Sequence, residues 1–282
     1  MEAGAAWLSD LEERIGVGVP GGVPELSWDG IPYDPALAAR LGLEVGLTDC
    51  TALEVGFAYY GSFRADGDRV TGAFGFAPPA GGVSPQLTVS LDAEAEVYGA
   101  RAAWWRRFAS GSRFTAEYGA GVRWIRFHES GDATDWQPAP VAGTPTLHGE
   151  ATDDLVAGLL GARLAFHPCD GWTIGLAGEA FGGWMHRDVD VRDTALLSAG
   201  AHASSLEEDD VSWGFEAELS VRRALSDQLA VRASVGVLYL ADVNRLDTVF
   251  DFGRAATGVV QARDEGREAW IPNVFVGFEL TF

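Results

Sequence analysis

The sequence predicts an all-β fold: a transmembrane antiparallel up-and-down β-barrel of ten strands, nine of them clear, with short periplasmic turns and long external loops. Three observations predict it. Apolar residues alternate with small or polar ones through nine segments, the period-2 signature of strands. The connections between the segments alternate short and long. Aromatic residues recur at both ends of the apolar face.

The last segment, Trp270–Phe282, shows the pattern most plainly. Val274, Val276, Phe278, Leu280 and Phe282 fall on one face, and Phe275, Gly277, Glu279 and Thr281 on the other. The same alternation marks Leu37–Leu47, Leu53–Phe63, Leu87–Trp105, Phe114–Trp124, Val156–Phe166, Trp172–Trp184, Val211–Val221 and Leu229–Tyr239. In Leu87–Trp105 the apolar set is taken as Leu87, Val89, Leu91, Ala93, Ala95 and Val97. Short turns are expected at Thr48–Thr51, Arg106–Arg113, His167–Gly171 and Ala224–Gln228. Long connections are expected at Arg64–Gln86, Ile125–Leu155, Met185–Asp210 and Leu240–Ala269. Outer-membrane barrels sort their connections in this way, and a Greek-key sandwich has no reason to.

The aromatic residues give the dimension. Trp105, Phe114, Phe166, Trp172 and Phe282 lie near the short-turn end of the apolar face, and Tyr59, Trp124, Trp184, Trp213, Tyr239 and Trp270 near the other. From Phe114 to Trp124 is ten residues and from Trp172 to Trp184 twelve. At about 3.3 Å per residue and a tilt near 40°, these spans are roughly 25–30 Å, the height of a lipid-facing band between aromatic girdles.

The opposite face is read as a charged lumen. It carries Arg40, Glu44, Glu54, Asp92, Glu94, Glu96, Glu117, Arg123, Arg163, Glu179, Glu216, Glu218, Arg222, Arg232 and Glu279, interspersed with glycines. Buried charges must pair, and a barrel this small can fill its own interior. The expectation is therefore a paired, largely filled lumen with little or no conductance.

Nine strands would close the barrel on a parallel pair, so a tenth is expected before residue 36. Met1–Leu8 fits, with Ala3, Ala5 and Trp7 on the apolar parity. Ser9–Glu12 then reads as a capping box opening a short helical turn, and Gly16–Pro35 as the first external loop. The domain reading is thus residues 1–35 as an N-terminal segment and 36–282 as the barrel.

Composition narrows the function. The 282-residue chain carries a formal net charge of -21, with a pI near 4.4, which argues against nucleic acid as a partner. Every one of its 20 basic residues is Arg. No apolar run reaches the roughly 18 residues of a membrane-spanning helix. No secretory signal is visible after Met1, and the chain reads as already processed.

Candidate chemistry is sparse. Asp188, Asp190, Asp193 and Glu207–Asp210 form an acidic external region that could attract divalent cations, without the spacing of a known loop. Cys50 and Cys169 fall in short turns on one rim, in hairpins separated by another hairpin, so a disulfide between them is not expected. His128 and Ser130 share the lipid-facing parity, and His186 lies near Asp188, but neither set has the spacing of a catalytic motif. No catalytic residue, cofactor or metal ligand is assigned.

The order of segments resembles the planctomycete-type outer-membrane β-barrel porin family. The resemblance is carried by Arg40–Phe57, where a strand runs into an Asp-Cys turn and a second strand follows, by Glu117–Glu129, and by Val231–Leu240. It implies location and fold rather than a substrate. The sequence reading is thus a non-catalytic barrel in the outer membrane of a Gram-negative-type bacterium, displaying acidic external loops. Its partners would be membrane lipid, lipopolysaccharide and other envelope proteins. The alternatives are a narrow cation-preferring diffusion porin and a barrel-embedded hydrolase.

Overall fold

A computed structural model of the chain describes residues 1–9, 14–16, 25–27, 33–73, 86–111, 113–135, 146–194, 201–245, 250–251, 261–262, 264 and 266–281. Ten antiparallel strands form a closed barrel. They are β1 (Glu2–Ala6), β2 (Ala36–Thr48), β3 (Thr51–Ala73), β4 (Gln86–Gly111), β5 (Phe114–Asp135), β6 (Thr146–Phe166), β7 (Trp172–Thr194), β8 (Ala201–Ala224), β9 (Leu229–Asn244) and β10 (Gly266–Leu280). The tenth strand is where parity requires it. β1 pairs with β10 on one side and β2 on the other, with Ala3 opposite both Val276 and Ala39. The expected helical turn at Ser9–Glu12 falls largely outside the described residues, as does Phe282. Arg14–Gly16, at the start of the expected first loop, pairs with Glu25–Ser27 within it.

The outward faces follow the alternation through the membrane band. Leu41, Leu43, Val45, Val55, Val122, Val156, Leu160, Ile174, Leu176, Leu219, Val235, Val274, Val276 and Phe278 are all exposed. Fourteen large apolar side chains on one outer belt are costly in water and matched to lipid. Above them stand Trp184, Trp213 and Trp270, with Tyr239 packed on Trp270 at 4.6 Å and Tyr98 on Trp124 at 5.8 Å between ring centroids. Below them stand Trp104, Tyr118, Phe114, Phe166 and Trp172. Trp105, expected in the lower girdle, is instead buried inside the barrel, and Trp104 takes the outward place.

That correction belongs to a larger one on β4. Its inward residues are Ala93, Ala95, Val97, Ala103 and Trp105, so Asp92, Glu94 and Glu96 point outward and are not lumen residues. The reason is that the burial rule changes sign along the strand. Within lipid, apolar side chains face out. Beyond the upper girdle the outside is water, so the apolar side chains turn in. There Phe63, Phe127, Leu147, Leu155, Met185, Val189, Leu238 and Ile271 form an interior core, while Glu94 on the outside accepts a hydrogen bond from Ser62.

β3 makes the change with a bulge. Its register slips between Tyr59 and Gly61, and Gly61 takes φ 116°, a conformation open to glycine. Below the slip Glu54 and Tyr60 face in; above it Phe63 and Ala65 do. The long connections are therefore largely strand: β5 runs to Asp135, β7 to Thr194, and β8 begins at Ala201.

Candidate functional site

Inside the membrane band the lumen is crossed by one continuous chain of ion pairs. It starts with Glu44, which pairs with Arg163 at 3.2 Å. Arg163 also pairs with Glu54, Glu54 with Arg101 at 2.8 Å, and Arg101 with Glu179 at 2.6 Å. Glu179 pairs with Arg123 at 3.5 Å and Arg123 with Glu216 at 2.7 Å. Arg40 bridges Glu216 and Glu218, and Arg232 joins Glu218 to Glu279. Arg222 closes the chain on Glu279 at 2.5 Å. Glu2 joins through Arg232 at 3.6 Å, so every one of the ten strands contributes a charge. Arg40 and Glu218 are 178 positions apart in sequence, and Arg163 and Glu44 are 119.

The chemistry explains the alternation. A lone buried ion is costly, and its partner offsets that cost only with good geometry and further hydrogen bonds. Glu54, Glu179, Glu216, Glu218 and Glu279 each pair with two Arg side chains, and two of these acids also accept from a neutral donor. Tyr60 donates its hydroxyl to Glu216 at 3.1 Å, and Trp105 donates Nε1 to Glu54 at 2.9 Å. Arg163 lies 3.7 Å from the centroid of the Trp105 ring, and Arg40 lies 4.2 Å from that of Phe275, a second outlet for cationic charge.

The Trp105 indole fills the lumen because Gly119 and Gly161 leave it room. A Cβ on either would stand 2.5 or 2.7 Å from its ring. Arg101, Tyr60, Trp105 and Glu2 were not assigned to the lumen from sequence. Arg101 and Trp105 share the β4 parity that sequence reading turned outward. Glu117 lies lower and pairs with Arg107 at 3.3 Å.

A second polar layer lies inside the barrel at its long-connection end. At the end of β9, Ala241, Val243 and Asn244 are buried, as is Arg245 just after it. Arg245 donates Nε to Glu129 at 3.0 Å and Nη2 to the carbonyl of Ser9 at 3.0 Å. Tyr33 donates its hydroxyl to the same Glu129. Arg187 holds Asp242 at 2.7 Å and Asp264 at 3.0 Å. The Asn244 backbone N–H donates to Asp153 at 2.5 Å. Burial pushes the Asp153 carboxyl up to about 8, against the opposing pull of that hydrogen bond and of Arg187.

The expected acidic loop is mostly barrel wall. Asp188 stands opposite Glu207 and Asp190 opposite Ser205 on β7 and β8, while Asp193 is buried. Among the described residues no set of three His, Cys, Asp or Glu side chains is gathered closely enough to hold a metal ion. His128 lies on the outward face, its Nδ1 2.9 Å from the Thr152 hydroxyl. His186, also outward, has Nδ1 2.9 Å from Asp209, a contact that raises its pKa. Ser130 shares the outward parity, so neither set converges on an interior cleft. Cys50 and Cys169 are both free and exposed on the short-turn rim.

Closure, strand order and the outer apolar belt define this chain as an outer-membrane-type β-barrel, and comparison with solved structures agrees. The structure is similar to the outer membrane protease OmpT from Escherichia coli with a TM-score of 0.54 at 8% identity, covering 100% of this chain and 93% of that one. Weaker matches, too low to bear on the reading, are a TodX deltaS2S3 mutant monoaromatic hydrocarbon channel and a Pseudomonas aeruginosa FadL homologue. Their TM-scores are 0.30 and 0.29, each at 10% identity, covering 100% and 99% of this chain and 90% and 88% of theirs. No family model matches the chain, and no curated protein matches it either. At these identities the likeness speaks for the fold alone.

Proposed function

We propose that the chain is a non-conducting, non-catalytic barrel of a Gram-negative-type outer membrane, whose outward wall does the interacting. One observation carries the reading: the unbroken Arg–Glu chain that crosses the lumen and draws on all ten strands. A hydrated ion cannot pass without breaking pairs that have little other solvation, and the Arg245 and Asn244 segment closes the mouth above. Lipid and lipopolysaccharide are the immediate partners in this reading. The wall standing above the girdle offers Glu94, Glu96, Glu150, Asp154, Asp188, Asp190, Glu207 and Asp209 to other envelope components. The resemblance to the planctomycete-type porin family belongs to the same proposal and supplies no substrate.

Planar-bilayer recording tests it. The wild-type protein is expected to be silent. A steady, salt-dependent conductance that changes in Glu216→Gln would establish a narrow cation-preferring pore instead. A hydrolytic activity abolished by His128→Ala or His186→Ala would overturn the non-catalytic reading.

A further inference from the structure

β8 and β9 separate above the membrane band. β8 pairs with β7 from Ala201 to Arg223, but its pairing with β9 begins only at Gly214, opposite Leu240. β9 continues to Asn244 without β8 beside it. Its register with β10 slips between Leu240 and Val243, and Asp242 within the slip takes φ 60°, uncommon for a residue with a side chain. Arg187 holds the slip by donating to both the carbonyl and the carboxylate of Asp242. Beyond it the Asn244 backbone N–H meets Asp153 on β6, and Arg245 meets Glu129 on β5. Neither strand is a neighbour of β9 in the barrel order. The top of β9 is thus committed to the interior, and β8 loses its ladder partner there.

Among the described residues, Ala201–Trp213 therefore has a backbone ladder on one side only. Ser212 gives its hydroxyl, not its backbone, to the Ala241 carbonyl. The Ala262 N–H likewise meets β8 through the Ser204 hydroxyl, at 3.2 Å. Glu208 and Asp210 share the inward parity of buried Ser212 and stand opposite buried Arg187 and Met185. Both are nevertheless exposed, as befits a wall that does not continue on their other side. An edge strand presents a row of unmet N–H and C=O groups, and an extended polypeptide can satisfy them by adding as a further strand.

The charge of the edge selects the polypeptide. Glu207, Glu208, Asp209 and Asp210 are consecutive on it, alternate between its two faces and are all exposed. The nearby cations are already engaged, His186 with Asp209 and Arg187 with Asp242 and Asp264. A second copy paired about this run would set the acids against themselves, and like charges directly opposite across a ladder are destabilising. Lys or Arg in the same places is favourable.

We propose that the β9-facing edge of β8, from Ala201 to Trp213, binds an extended basic segment of another protein by strand addition. This deepens the function proposed above, in which the wall beyond the girdle does the interacting, and rests on it.

The full-length protein, folded in a non-ionic maltoside detergent, is titrated with a fluorescein-labelled peptide and followed by anisotropy. The peptide is a run of lysines flanked on each side by alternating valine and threonine. A second peptide carries a methyl group on every backbone nitrogen of the lysine run, which keeps the charge and removes the donors. The first should bind, and the second should bind at least about tenfold more weakly. Changing Glu207→Gln, Glu208→Gln, Asp209→Asn and Asp210→Asn together should weaken the first roughly fifteenfold, at about twofold for each opposite-charge cross-strand pair. Retained barrel migration on an unheated gel shows that this variant has folded. Hydrogen exchange places the contact: the bound peptide should slow amides within Ala201–Trp213 and leave Gly214–Arg223, paired on both sides, unchanged.

Those results together support the proposal. Equal binding of the methylated peptide would reduce the contact to charge alone and overturn strand addition. Binding without slowed exchange in Ala201–Trp213 would overturn the edge as the site. Uniformly slow exchange there in the free protein would overturn the open edge, with a dimer by light scattering assigning its cover to a second copy and a monomer to the chain's own β9–β10 connection. No binding of either peptide would overturn the basic partner. None of these readouts depends on conductance or hydrolysis, so failure here is distinct from failure of the non-conducting, non-catalytic reading.

Discussion

Glu216 is the most exacting place to perturb the lumen. It is buried, faces Arg40 and Arg123, and accepts the Tyr60 hydroxyl. Glu216→Gln keeps the shape and removes the charge between two buried cations. Breaking one partner out of a buried ion pair costs about 3–5 kcal/mol. Here Arg40 keeps Glu218 and Arg123 keeps Glu179, so the lower end, about 3 kcal/mol, is expected. Glu44→Gln removes a carboxylate that is 55% exposed, and after solvent screening that should cost less than about 1 kcal/mol.

The decisive variant replaces Glu216 with Leu and Arg123 with Met together. Exchanging a buried pair for apolar side chains is often nearly neutral. The double variant should therefore be destabilised by less than the sum of Glu216→Leu and Arg123→Met made singly, a departure from additivity that reports coupling. The assay is reversible urea unfolding in lipid vesicles, followed by tryptophan fluorescence. A Glu216→Gln midpoint indistinguishable from that of Glu44→Gln, or a double variant no better than the sum of its parts, would refute the claim that pairing holds this interior together.

Two further outcomes follow from the same geometry. Val276→Arg puts a cation on the lipid-facing side of β10 and should cost about 2–4 kcal/mol near the midplane; a urea midpoint equal to wild type in lipid would mean the assigned faces are reversed. Burial keeps Asp153 protonated in the folded chain up to about pH 8, whereas the unfolded chain loses that proton in the ordinary carboxylate range. Its contribution to stability is full in acid and falls as pH rises from that range through about 8. Asp153→Asn should flatten the decline in urea midpoint between about pH 5 and about pH 9, and a parallel decline in the variant would remove Asp153 as its source.

The strand count, the closing strand before residue 36 and the outward faces of β2, β5, β6, β7, β8, β9 and β10 were legible because each strand obeys one burial rule across the lipid. The β4 error shows where that legibility ends. Ala93, Ala95 and Val97 are apolar because they enter a water-facing core, whereas Val122 and Val156 are apolar because they meet lipid. Period-2 patterning is identical in the two cases. The phase of a strand can be set only by knowing where the membrane stops. Trp105 was misplaced for the same reason: an indole suits an interfacial girdle as well as a lumen with a carboxylate in reach of its N–H. The mouth layer left no periodic signal at all, since Tyr33, Asn244 and Arg245 come from segments with no alternation and meet only in three dimensions.

The length of the wall has its own consequence. β8 has 24 residues, which at about 3.3 Å each and a tilt near 40° rises roughly 60 Å, against a lipid-facing band of about 25 Å. About half of that strand, from Ala201 to Ser212, stands above the girdle residue Trp213 as hydrogen-bonded sheet. In the proposed role, an approaching partner meets an already ordered sheet that carries its carboxylates at set register positions. A partner docking there gives up little of the barrel's conformational freedom on binding, a cost that a long flexible loop in the same place could not avoid.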